Sequence, residues 1–211
     1  MFRCCVVYPA PALSTNFEQI IPVVLAAGSS KHLSFPKPLA SFGGKTALQL
    51  AVNNCAGVGP TVVVLGCDSE KIRPEVPSGV QVICNPGWRN GQQSSLRCAL
   101  EHIHQHSAFM IYPVDHPLLR NATVQGLVRA FHKRRTGKQI VMPRHNNRLG
   151  HPIIVAAALR DEFFSAETAR EIVYRDAWRN LVIQVRTSAV YQDFDTPESY
   201  RSCVRQFLAG R

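Results

Sequence analysis

Residues 20–37 read IIPVVLAAGSSKHLSFPK, an apolar run that breaks into small residues and ends in two basic positions, His32 and Lys37. Across the break, Ala26, Ala27, Gly28, Ser29 and Ser30 carry little side-chain bulk. Backbone N–H groups in such a loop can converge on an anion. A lysine just beyond it adds a mobile point charge suited to phosphate. The pattern points to a triphosphate cradle. Triphosphate chemistry also calls for a hard cation, and Asp115 closes the apolar run AFMIYPV with a carboxylate that could hold one. Asp195 in YQDFDTPESY offers a second carboxylate, with Asp193 as a weaker candidate on the same face of an extended segment. Magnesium takes one or two carboxylates and completes its shell with phosphate and water. Both aspartates also suit structural roles, Asp115 in an Asp-x-Pro turn and Asp195 at a helix start.

Other strings imitate chemistry and fail on context. Gly43-Gly44-Lys45-Thr46 copies the tail of a P-loop, but the first glycine of that motif would fall on Leu39. His102, His104 and His106 cannot share one helical face, since only the outer two are four apart. Gly57-x-Gly59 precedes an apolar run instead of following one, so a dinucleotide fingerprint is excluded, and no G-x-S-x-G elbow marks a serine hydrolase.

The elements that must position the loop and the carboxylates follow from periodicity. Continuous apolar runs at 20–25, 61–65, 80–84, 108–114, 139–142, 152–155 and 181–185 read as strands. Helical spacing covers 45–55, 121–135, 159–164, 167–176 and 197–208, and a further helix starts near Gln93 or Ser94 and runs to His106. Asn121 or Thr123 is the expected cap of the helix over 121–135, and Pro197 suits a first helical turn. Strand and helix alternate, and the strands are apolar on both faces, which predicts a three-layer α/β fold with a mainly parallel sheet. Sites in such sheets lie at the carboxyl ends of strands, where the loop, Asp115 and the Asp193/Asp195 segment fall.

Composition agrees with a packed enzyme-sized domain over 20–211. An apolar content of 45% with 18% charged residues excludes a disordered chain. The net charge of +10 favours anionic partners such as nucleotides. The basic residues are dispersed, and the run His132-Lys133-Arg134-Arg135 closes a helical pattern and suits the helix dipole, so no nucleic-acid partner is expected. Seven cysteines without a C-x-x-C pair read as reduced thiols in a cytoplasmic protein. Pro9 and Pro11 interrupt the apolar patch at 4–8, so residues 1–19 read as a loose extension and not a secretory signal, and no run suits a membrane span.

Five ordered strings resemble one family. LAAGSSKHLSFPKPLASFGG is similar to the signature L-A-A-G-x-S-x-R-M-G-x-x-K-x-L of the molybdopterin nucleotidyltransferases, closest to the molybdenum cofactor cytidylyltransferase branch. NPGWRNGQQSSLRCAL, PVDHPLL, RLGHPIIV and DFDTPESY resemble further segments of that family in the same order. The resemblance implies a Rossmann-like nucleotidyltransferase that moves NMP, with CTP favoured, onto the terminal phosphate of a molybdopterin-type acceptor with Mg2+ and releases pyrophosphate. It also implies residue roles. Leu25 to Ser30, Lys37, Gly91, Ser94 and Ser95 would bind nucleotide, and Gln92, Gly150, His151 and Pro152 the acceptor. Lys37, His32 and Asp115 would serve catalysis, and Asp115 and Asp195 the metal. A molybdoenzyme is an implied partner. Alternative implications are a guanylyl or sugar-1-phosphate nucleotidyltransferase, or a nucleotide-binding accessory protein for molybdoenzyme maturation. The chain departs from the signature where its arginine, methionine and glycine fall on His32, Leu33 and Ser34. Histidine lacks arginine's permanent charge and planar fork, and Lys31 or Arg89 could compensate.

Overall fold

The computed structural model of the protein describes residues 18–210, so most of the extension expected over 1–19 lies outside the described residues. Strand β1 (Ile20–Ala26) is buried along its whole length. It is followed by β2 (Ser41–Phe42), β3 (Lys45–Thr46) and helix α1 (Ala47–Asn54), then β4 (Val62–Leu65), α2 (Ser69–Ile72) and β5 (Gln81–Cys84). The middle of the chain forms α3 (Gln92–His102), β6 (Ala108–Pro113), α4 (Asn121–His132), β7 (Ile140–His145), β8 (Arg148–Leu149) and β9 (Ile153–Val155). The rest forms α5 (Arg160–Ser165), α6 (Ala169–Arg175), β10 (Asn180–Gln184) and α7 (Pro197–Ala209).

The strands lie in the order β10-β7-β9-β6-β1-β4-β5, with β8 paired to β7. Pairing is parallel for β4–β1, β1–β6, β4–β5 and β10–β7. Strand β9 runs antiparallel to both β6 and β7. The period-2 alternation of a strand explains the three layers. Ile20, Val24 and Ala26 of β1, with Met110 and Tyr112 of β6, pack on α1 and α4 through Leu48, Val52, Val124 and Leu127. Ile21, Val23 and Leu25, with Phe109 and Ile111, face the opposite layer, where Leu96, Leu100, Phe163 and Ile172 meet them. Both faces are dry, and the continuous apolar runs are the sequence trace of that burial.

Several expected boundaries move for identifiable reasons. The P-loop-like string forms the β2–β3 hairpin, in which Gly43 and Gly44 both take positive φ, at 57° and 86°. Two-residue hairpin loops favour that conformation, and glycine adopts it without a Cβ clash. Thr46 then caps α1 in a reciprocal capping box with Gln49. Helix α4 is entered through Arg120, not capped by Asn121 or Thr123. The Asn121 side chain instead donates to the carbonyls of Asn54 and Ala56, both at 2.9 Å, and so fastens α4 to the end of α1. No strand carries Asp193 and Asp195. They lie in an irregular segment before α7 and point outward because Phe194 between them is fully buried.

The parallel register brings the ends of four strands to one edge: Ala26 lies opposite Leu65, Leu25 opposite Pro113, and Leu65 opposite Cys84. Gly66, just past β4, lets the neighbouring loops close up there. A Cβ on it would fall 2.8 Å from the Ala27 carbonyl oxygen and 2.6 Å from Trp88 Cβ. Gly66→Ala is therefore expected to cost about 1–3 kcal/mol by overpacking. It is also expected to push the 26–30 loop out of place. Urea denaturation alongside nucleotide-binding titration checks both effects, and an unchanged midpoint would contradict this packing.

Candidate active site

Lys37 opens a short 3-10 turn (Lys37–Leu39) that follows Pro36. Its backbone N–H donates to Ser30 Oγ at 2.6 Å, so the serine at the end of the small-residue loop fixes where the lysine side chain starts. From there Lys37 Nζ donates to Asp115 Oδ2 at 3.0 Å and to Asp195 Oδ1. Asp115 reaches this position because β6 ends at Pro113 and Val114 N–H still donates to Leu25 O at 3.2 Å, which holds the 114–120 loop beside β1. Asp195 arrives by a different route. Phe194 packs edge-on against Phe42, with ring centroids 5.4 Å apart, and Phe35 packs likewise on Tyr200 at 5.1 Å. This small aromatic core ties the loop after β1 to the start of α7, where Thr196 forms a capping box with Ser199.

The electrostatics follow from this packing. Burial by itself would raise the Asp115 carboxyl pKa. The hydrogen bond and charge of His116, whose Nδ1 lies 3.0 Å from Asp115 Oδ1, and the Lys37 ammonium outweigh it and hold the carboxyl well below the usual carboxylate range. Burial would likewise lower Lys37, but Asp115 and Asp195 outweigh it and raise the ammonium above its ordinary value. At His151 the balance is reversed, because burial lowers it more than the Asp115 charge and a backbone hydrogen bond with Ile111 raise it. Burial and then the neighbouring His116, whose ring centroid is 5.4 Å away, push it down to about 4, so its imidazole is neutral near pH 7.

Two clefts of about 530 Å³ each meet at Asp115. The first is lined by Leu25, Ala26, Ala27, Gly28, Ser29, Lys37, Gly91, Gln92 and Ser95, and by Lys31, Trp88 and Arg89. The second is lined by Gln92, Asp115, Gly150, His151 and Asp193, together with His116, Arg148, Arg170, Tyr174 and Tyr191. Gly150 is required for close approach, since a Cβ there would sit 2.1 Å from the Val190 carbonyl oxygen.

Most of the residues singled out in the sequence therefore come together, with five differences. Asp195 is exposed and lines neither cleft, and it reaches the site only through Lys37 Nζ. His32 is exposed and lines neither cleft, whereas Lys31 and Arg89 both line the first. Ser30 positions Lys37 without lining a cleft. Ser94 donates to the carbonyls of Gly87 and Gly91 and stiffens the loop before α3, while Ser95 faces the cleft. Pro152 is buried beside the second cleft and does not line it. Trp88 as a cleft wall, and Arg148, Arg170, Tyr174 and Tyr191 around the second cleft, are not marked by the sequence, whereas Lys31 and Arg89 are expected there as substitutes for the signature arginine. Only the charge of Lys31 and Arg89 was a usable signal.

Asp115 and Asp195 converge on one cation, Lys37 Nζ, and their oxygens are the hard donors that a divalent ion prefers. Among the described residues no three His, Cys, Asp or Glu side chains form a metal-binding group. An ion held by these two carboxylates would thus complete its shell with phosphate and water, as Mg2+ or Mn2+ does readily.

Comparison with known proteins bears on this arrangement. Residues 22–183 match the family described as the MobA-like NTP transferase domain. The bifunctional protein GlmU of Corynebacterium diphtheriae is 31% identical over 119 residues, which cover 51% of this chain and 25% of that protein. The match thus spans about a quarter of the length of this curated relative. The crystal structure of Rv0371c from Mycobacterium tuberculosis H37Rv superposes with a TM-score of 0.75 at 25% identity, covering 89% of this chain and 98% of that one. A complex of Rv0371c with manganese superposes at 0.70 and 22% identity, over 89% and 98% of the two chains. A nucleotidyl transferase from Methanothermobacter gives a TM-score of 0.78 at 16% identity, over 92% and 99% of the chains, a likeness of fold.

Two outcomes are expected from this geometry. Lys31→Ala weakens nucleoside triphosphate binding about tenfold, whereas His32→Ala leaves it within about twofold, because only the first side chain lines the cleft. Isothermal titration separates them, and a larger loss at His32 would contradict the assignment. The second outcome concerns pH. The depressed carboxyl of Asp115 stabilises the fold above its unfolded pKa of about 3.9, and that stabilisation is lost as pH falls through the lower folded value. Asp115→Asn is therefore less stable than the parent at neutral pH, and the deficit narrows below about pH 4. Urea midpoints measured on both sides of that pH check the sign.

Proposed function

The chain belongs to the MobA-like NTP transferase family, and from that premise we propose that it transfers CMP from CTP, with Mg2+, to the terminal phosphate of a molybdopterin-type acceptor and releases pyrophosphate. The observation that carries this reading is the meeting of two clefts at Asp115, one lined by the small-residue loop and basic groups, the other by His116, Gly150 and His151. A nucleotidyltransferase brings two phosphate-bearing substrates to one point, and these clefts share Gln92, Pro113 and Asp115 at such a point.

Each residue then has a task. The 26–29 loop leaves room for backbone N–H groups to approach the β and γ phosphates. Lys31 and Arg89 add charge along the same cleft wall, and Arg89 is held flat over Trp88 at 4.4 Å from the ring centroid. Lys37 lines the first cleft beside Asp115 and neutralises charge that builds up around the α-phosphorus. Asp115 and Asp195 would hold the divalent ion, which supplies charge stabilisation for the transferring group and the departing pyrophosphate. Manganese bound by the related Rv0371c supports a divalent ion here. On the far side, His151 lines the acceptor cleft as a neutral imidazole near pH 7. An acceptor phosphate oxygen attacks the α-phosphorus, the bond to the bridging α–β oxygen breaks, and pyrophosphate carries off the electron pair. Phosphoryl-type transfer asks little covalent chemistry of the protein, and positioning with charge stabilisation accounts for the residues present. The resemblance of residues 25–44 to the cytidylyltransferase branch supports CTP.

Incubating the protein with Mg2+, each of CTP, GTP, UTP and ATP, and either molybdopterin or a sugar 1-phosphate tests the reading through pyrophosphate release. Release with CTP and molybdopterin alone is expected. Release with another pair would overturn the substrate assignment, and tight nucleotide binding without release from any pair would overturn the enzymatic one. With the active pair, Asp115→Asn is expected to lower kcat by about 10²-fold or more with the circular dichroism spectrum unchanged.

A further inference from the structure

The second cleft contains two arginines that the reaction described above leaves unused. Arg148 lies at the start of β8 and Arg170 in the first turn of α6, and both line this cleft while remaining exposed. Four arginines of the described residues are held by carboxylates. Arg134 pairs with Glu18, Arg175 and Arg179 with Glu162, and Arg201 with Glu198. Arg148 and Arg170 take part in none of the ion pairs of the described residues. Their partners are aromatic. The Arg148 guanidinium lies 4.3 Å from the centre of the Tyr191 ring, and that of Arg170 lies 5.3 Å from the Tyr174 ring. Glu171, next in the chain to Arg170, accepts from Glu167 N–H and Thr168 Oγ1 instead.

An arginine stacked on an aromatic face is held flat while its N–H fork stays available for a carboxylate or phosphate. Two such forks in a cleft whose carboxylates, Asp115 and Asp193, would otherwise repel an anion supply the missing positive charge. Tyr174 and Tyr191 line the same cleft, so they add aromatic surface against which a planar ring can pack.

We propose that Arg148 and Arg170 are the acceptor-specificity residues, each presenting a tyrosine-stacked fork to an anionic group of a planar, phosphorylated acceptor. This rests on the second cleft being the acceptor side. The fork matters as well as the charge, so lysine at either position is a poor substitute. Because both side chains are exposed, their replacement leaves the fold intact.

The test is equilibrium binding of molybdopterin, and separately of CTP, to the full chain and to Arg148→Gln, Arg170→Gln and Arg170→Lys under anaerobic conditions. Each glutamine variant is expected to bind molybdopterin about tenfold more weakly or worse, and the lysine variant to recover part of the loss. CTP affinity stays within about twofold, and in turnover the acceptor KM rises while kcat holds within about twofold. Unchanged molybdopterin affinity in both glutamine variants, a parallel loss of CTP affinity, or a parent protein that does not bind molybdopterin would each overturn the assignment. Molybdopterin binding that depends on both arginines without pyrophosphate release would overturn the proposed reaction and leave this assignment standing.

Discussion

One ammonium group holds the site together. Lys37 Nζ joins carboxylates that lie 78 and 158 residues farther along the chain and offsets their charges at close range. Two carboxylates converging without a cation repel each other and raise each other's pKa. With Lys37 between them and His116 behind, Asp115 stays ionised despite its burial. The fold serves this contact. Parallel pairing of β1 with β6 puts Asp115 beside the loop after β1, and the Phe42–Phe194 contact brings the α7 entrance over to it.

The same constraint explains why the site faces two ways. Asp115 lies at the end of a central strand with neighbours on both sides, so a cleft can open toward β4 and β5 and another toward β9 and β7. The first is rich in cations beside a small-residue loop, as a triphosphate requires. The second carries aromatic rings and stacked arginines, which suits an anion attached to a ring. Antiparallel β9 and the β7–β8 hairpin shape this second wall, and Gly150 permits the close approach to Val190 that seals its floor.

How far this could be read from the sequence varies by element. The parallel sheet was legible because strands buried on both faces leave unbroken apolar runs. The reversal of β9 was not, because Ile153–Val155 is equally apolar whichever way it runs. Asp115 and Lys37 stood out as charged residues at the ends of apolar or small-residue stretches. Lys31 and His32 could not be told apart, since the direction of a side chain in an irregular turn depends on φ and ψ that composition does not encode. Ser94 and Ser95 posed the same difficulty on α3, where only the helical phase decides which hydroxyl faces the cleft. The arginine–tyrosine pairs join residues 43 apart for Arg148–Tyr191 and 4 apart for Arg170–Tyr174, and no local pattern marks the longer one.

On the proposed reading, Asp115, where the clefts meet, and Asp195 beside it hold one divalent ion. An anomalous difference map from a crystal grown with manganese and CTP tests it most directly. A single manganese peak within coordinating distance of both carboxylates and of the nucleotide phosphates is expected. A peak elsewhere, or ordered CTP in the cleft with no peak at Asp115, would contradict it.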